Sequence, residues 1–112
     1  MFAMLMGLKG IAPRDLYETM KGGEVTVVDL NARHSWLKER VPGALNLVPD
    51  FDEALLPPER TTPLVFYCSN PLCRKAPNAA RRAGKLGYTD VRVMSAGITG
   101  WVGARLPVES GE

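Results

Sequence analysis

The sequence predicts one α/β domain: a mainly parallel sheet of four to five strands with helices on both faces. Three observations carry this expectation. The runs Val25 to Asp29 and Leu64 to Cys68 are apolar without polar alternation, as in strands covered on both sides. An Ala-rich segment with helical spacing follows the second run, and Pro and Gly are spread as punctuation between short apolar segments. Strands separated by helices imply right-handed crossovers in a parallel sheet.

In chain order, Pro13 suits a first helical turn, Asp15 and Glu18 suit its positive end, Leu16, Tyr17 and Met20 share a face, and Gly22-Gly23 end it. The strand Val25 to Asp29 comes next. A short helix is expected from His34 to Glu39, then a turn at Val41-Pro42-Gly43 and a brief strand Ala44 to Leu47. Asp50 to Leu56 reads as one or two helical turns, closed by Pro57-Pro58 before the strand Leu64 to Cys68. From Ala76, residues Ala79, Ala80, Ala83 and Leu86 recur at helical spacing, with Pro77 near the start and Gly87 past the end. Val91 to Met94 makes a last strand, and Ala96 to Trp101 reads as a loop leading into a final short helix. Residues 9–108 read as the domain, with 1–8 and 109–112 as tails.

The totals narrow the function. A chain of 112 residues, 46% apolar and 23% charged, is sized for one core and lacks the composition of disorder. A net charge of +2 gives no basis for nucleic-acid binding. The apolar opening MFAMLMGL is too short for a membrane span and lacks the flanks of a signal peptide, so a cytoplasmic protein without membrane attachment is expected, with Met4 and Met6 as alternative starts. Cys68 and Cys73 are too close to staple a long loop, and with His34 they offer three ligands without zinc spacing. No metal and no cofactor are expected.

The chemistry concentrates at Cys68. Ligands of open α/β sheets bind beyond the carboxyl ends of the strands, and Cys68 stands at such an end, just before a helix. Backbone N–H groups of Ser69 to Arg74 can curl around an anion, less the one that Pro71 lacks, and Arg74, Lys75 and the helix dipole add positive field. A thiol there is expected to ionise readily and act as a nucleophile. The pattern is equally compatible with a buried core thiol.

VVDLNARHSWLKERVPGALNL, LVFYCSNPLCRKA with its Ala-rich helix, and VRVMSAGITGW occur in the order of the rhodanese homology domain, which the chain resembles along nearly its whole length. The resemblance implies that Cys68 takes a sulfane sulfur from a donor such as thiosulfate and passes it, as a persulfide, to cyanide, a small thiol or a protein thiol. The loop residues Ser69, Asn70, Leu72, Cys73, Arg74 and Lys75, with their N–H groups and positive charge, are the expected substrate-binding set. Two departures are visible: Arg40 stands where a Gly-His pair often precedes the Pro-Gly-Ala turn, and Ala96 replaces the first Gly of the late motif.

Five residues separate Cys68 from Arg74, the spacing of phosphatases and arsenate reductases of the same fold. Tyr67 and Lys75 differ from the residues those enzymes usually carry there. A non-catalytic binding module is the other alternative. Cys73 reads either as a small packing residue or, facing inward, as a thiol that attacks a Cys68 persulfide and leaves a disulfide. His34 is assigned no role. Asp29 is expected to bond nearby backbone N–H groups, with a part in the substrate loops as the alternative, and Trp101 to pack the core, with a wall of the active-site rim built with Gly97 and Gly100 as the alternative.

Overall fold

The computed structural model describes residues 8–112; of the tail expected over 1–8, residues 1–7 with the alternative starts lie outside the described residues, and Leu8 packs partly buried against the core. Five strands form one sheet: β1 (Lys9–Gly10), β2 (Thr26–Asp29), β3 (Leu45–Asn46), β4 (Leu64–Tyr67) and β5 (Val91–Val93), in the order β1-β5-β4-β2-β3. Every pairing is parallel. Among the described residues, helices α1 (Pro13–Met20), α2 (Arg33–Lys38) and α3 (Lys75–Lys85) join β1 to β2, β2 to β3 and β4 to β5, and α4 (Gly97–Gly103) follows β5.

The apolar runs are covered on both sides, as their lack of alternation requires. Val28, Leu64, Phe66 and Val93 pack with Ala76, Ala79, Ala80 and Ala83 of α3 on one face. Val27, Val65, Tyr67 and Met94 pack with Leu16 of α1 and Trp101 of α4 on the other. The small side chains of α3 let its backbone approach β4 closely, and Gly87, at φ 103°, ends it in the left-handed conformation.

Several elements differ from the local reading. β1 has only two residues and no hydrophobic pattern of its own; it exists because β5 offers an edge to Lys9 and Gly10. Asp50 to Leu56 yields a single 3-10 turn, Glu53–Leu55, capped by Asp52, whose carboxylate accepts the Ala54 N–H at 2.9 Å. The segment Ala96 to Trp101, expected as a loop leading into a short final helix, is already in helix α4 from Gly97 onward. Residues 109–112 do not hang free: Arg40 and Glu109 exchange two backbone hydrogen bonds at 3.0 Å, and the Gly111 N–H donates to the Leu37 carbonyl at 2.7 Å. Among the described residues no helix is long and apolar enough to cross a membrane.

Candidate active site

The site begins in the register of the two central strands. Asp29 lies opposite Tyr67, so the carboxyl ends of β2 and β4 emerge side by side, and the Leu30 N–H donates to the Tyr67 carbonyl at 2.9 Å. Cys68 is the first residue beyond β4, and it is 3% exposed within the core cluster on the α3 face.

The loop that leaves Cys68 is held from two directions. On the β2 side, the Ser69 hydroxyl donates to the Asn31 side-chain oxygen at 2.8 Å. On the α4 side, the Ile98 and Thr99 N–H groups donate to the Cys68 and Ser69 carbonyls at 2.9 and 3.1 Å. Gly97 makes this approach possible: it takes φ +68°, and a Cβ there would lie 2.5 Å from the Ser69 carbonyl carbon and oxygen. Sequence reasoning placed Ser69 in the loop and Gly97 only as an alternative rim residue, and it gave Asn31, Ile98 and Thr99 no part in the site. The Gly-flanked helix start was the local signal; its distance to the loop was not local information.

Within the loop, the Asn70 side-chain oxygen accepts the Leu72 N–H at 2.9 Å and its carbonyl accepts the Cys73 N–H at 3.1 Å. In this disulfide-bonded form the N–H groups expected as a cradle from Ser69 to Arg74 are divided. Two of its donors close a turn on Asn70 and Pro71 has none, while the Ser69, Asn70 and Arg74 amides take part in neither bond. The Leu72 side chain is 83% exposed. Arg74 and Lys75 are exposed at the start of α3, which has no acidic residue in its first turn and no side-chain cap. Uncompensated positive charge therefore collects beside the Cys68 loop.

Cys68 and Cys73 are joined as a disulfide, with their Cα atoms 6.4 Å apart. Cys73 packs, partly buried, against the same cluster as Cys68. It thus faces inward, unlike its neighbour Leu72.

Beneath the loop lies a buried polar pair. The Tyr67 hydroxyl donates to one Asp29 carboxyl oxygen at 2.6 Å, the Asn31 N–H donates to the other at 2.7 Å, and the Val41 N–H donates to the Tyr67 hydroxyl at 3.1 Å. Burial pushes the Asp29 carboxyl above its ordinary range, against the lowering effect of these bonds. Burial and then the neighbouring Asp29 charge push the Tyr67 phenol up, so Tyr67 remains the donor.

The other residues considered lie apart from this loop. His34 is exposed on α2. Trp101 is buried, with its indole N–H donating to the Pro107 carbonyl at 2.7 Å and its ring edge-on to Tyr17. A cleft of about 540 Å³ lined by Val25, Thr26, Pro42 and Leu45 opens at the other end of β2.

Comparison with known proteins adds a family. The model of the rhodanese-like domain matches residues 12–104. The chain is 30% identical over 102 residues to an HTH-type transcriptional regulator of Mycobacterium tuberculosis, covering 90% of this chain and 45% of that protein. It spans less than two thirds of the length of the curated relatives it matches. Among solved structures, a thiosulfate sulfurtransferase from Pseudomonas aeruginosa superposes with a TM-score of 0.81 at 23% identity, over 93% of this chain and 20% of that one. A Rhodopseudomonas palustris protein described as a possible tyrosine phosphatase superposes with a TM-score of 0.77 at 23% identity, over 96% and 92%. At these identities the structural likeness is one of fold.

Proposed function

The chain belongs to the rhodanese-like domain family, and on that premise we propose that it is a sulfurtransferase, moving sulfane sulfur from a donor such as thiosulfate to a thiophilic acceptor through a persulfide on Cys68. The observation that carries this reading is the placement of Cys68: at the carboxyl end of buried β4, beside the uncapped positive start of α3 with Arg74 and Lys75. In the reduced protein the Cys68 thiolate attacks the outer sulfur of thiosulfate, the sulfur–sulfur bond of the donor breaks, and sulfite leaves with the electron pair. The persulfide anion inherits the field that favoured the thiolate. Cyanide, a small thiol or a protein thiol then attacks the outer sulfur and restores the thiolate. The cytoplasm suits this cycle, because its reductants keep the two thiols open.

Phosphate or arsenate chemistry is favoured by the five-residue interval between Cys68 and Arg74. It is disfavoured by the loop itself, where Leu72 and Cys73 spend their N–H groups on Asn70 instead of an oxyanion.

The reduced protein, incubated with thiosulfate, is expected to gain one sulfur atom by intact mass, to yield thiocyanate on addition of cyanide, and to do neither as Cys68→Ser. A Cys68 that alkylates readily but takes no sulfur, with turnover of aryl phosphate or arsenate, would transfer the site to the second reading. A Cys68 inert to all of these would leave a binding module.

A further inference from the structure

We propose that Cys73 is the resolving thiol of the site and that the protein has a second activity: release of the bound sulfane sulfur as hydrogen sulfide, with a dithiol as reductant. The inference rests on the sulfur-carrier reading of Cys68 and adds to it a route that needs no external sulfur acceptor.

The disulfide between Cys68 and Cys73 shows that the second sulfur reaches the first, from a Cα separation of 6.4 Å that lies within the range of such bonds. The backbone is already shaped for this. The turn on Asn70 brings position 73 back toward the strand end, and the contacts from Ile98 and Thr99 hold the Cys68 and Ser69 carbonyls in place. Cys68 is 3% exposed, whereas Cys73 sits half-buried on the outer side of the pair. A persulfide on Cys68 therefore has a tethered thiol as its nearest nucleophile, and tethering raises the effective concentration of that thiol far above that of any diffusing acceptor.

Atoms and electrons balance in this step. The outer sulfur of the persulfide takes one proton from solvent; the Cys73 thiolate attacks the inner sulfur, Cys68 Sγ; the bond between Cys68 Sγ and the outer sulfur breaks; and the outer sulfur leaves with the electron pair as HS⁻. The two cysteine thiols are oxidised to the disulfide and the sulfane sulfur is reduced to sulfide. A dithiol then attacks Cys73 Sγ, the more accessible sulfur, expelling the Cys68 thiolate into the positive field of α3 and leaving with its own disulfide. Per turnover, thiosulfate and the dithiol become sulfite, hydrogen sulfide and an oxidised dithiol. Until it is reduced, the disulfide form takes up no sulfur.

The test is a single turnover of reduced, desalted protein with thiosulfate in the absence of oxygen and added thiol, measuring sulfite, sulfide and intact mass together. Wild type is expected to release sulfite and then about one sulfide per chain, ending as the disulfide. Cys73→Ser is expected to stop at the persulfide, with sulfide release slowed at least about tenfold, and Cys73→Ala, which keeps a small apolar side chain in the loop, is expected to match it. Sulfide release from both variants at the wild-type rate would overturn the inference, as would a wild type that ends with an added sulfur and no disulfide. Absence of sulfite from all three proteins would remove the carrier reading itself, and the inference with it, which is a distinguishable result.

Discussion

Asp29 has no solvent exposure, yet three of its neighbours are arranged for its charge: the Tyr67 hydroxyl, the Asn31 N–H and the nearby Arg40 guanidinium. Burial outweighs them, so the folded protein holds the Asp29 proton more tightly than the unfolded chain, where the carboxyl titrates near 3.8. The linkage has a definite sign. This contribution to stability is fully present below the unfolded value and is lost as pH rises through the folded one. Asp29→Asn is therefore expected to cost about 1–2 kcal/mol under acidic conditions, where it removes an acceptor, and progressively less relative to wild type as pH rises. Melting temperatures of both proteins from about pH 4 to pH 8 would check this; parallel curves would show that Asp29 does not titrate differently in the two states. The carboxylate's bond to a backbone N–H two residues on was legible as a habit of Asp at a strand end. Its bond to Tyr67 was not, because 38 positions separate the two and only the register of β2 on β4 makes them neighbours.

Among the elements, α4 does more than cover the sheet. It has seven residues, and its first turn presents Gly97 and two N–H groups to the backbone of the Cys68 loop. Gly97→Ala would force a Cβ into the Ser69 carbonyl at a left-handed φ. A loss of about 2–4 kcal/mol in urea unfolding is expected, from the strained backbone and the overpacked contact together. A change under about 0.5 kcal/mol would mean that the loop yields freely to α4. Helix α3 is the contrasting case. Its Ala face, Pro77 and the terminal Gly87 lie on consecutive turns of one segment, so local spacing predicted its position within a residue at each end.

For the whole molecule, the residues beyond α4 tie back to α2 and the turn that follows it. Glu109 bridges the backbone of Arg40, its carboxylate accepts the Gly43 N–H at 2.9 Å and lies 3.6 Å from the Arg40 guanidinium, and Arg40 itself stacks on Trp36 at 3.9 Å. The departure at Arg40 thus has a structural use: it joins α2, the Pro-Gly-Ala turn and the chain's last segment. Deleting residues 109–112 removes these hydrogen bonds, and at about 1 kcal/mol net for each, less the entropy regained, the melting temperature is expected to fall by about 5–10 °C. Scanning calorimetry of the shortened chain would test this, and an unchanged midpoint would show that the segment stabilises nothing.

The fold class, the central strands, helix α3 and the position of Cys68 were determined by the sequence itself, because apolar runs, helical spacing and Pro or Gly boundaries act over a few adjacent residues. Tertiary structure alone decided the rest: the two-residue strand β1, the inward direction of Cys73, the pairing of Asp29 with Tyr67, the close approach of Gly97 to Ser69 and the anchoring of Glu109. Each depends on a strand register or a turn geometry that sets which distant residues meet, and no local pattern in the chain carries that information.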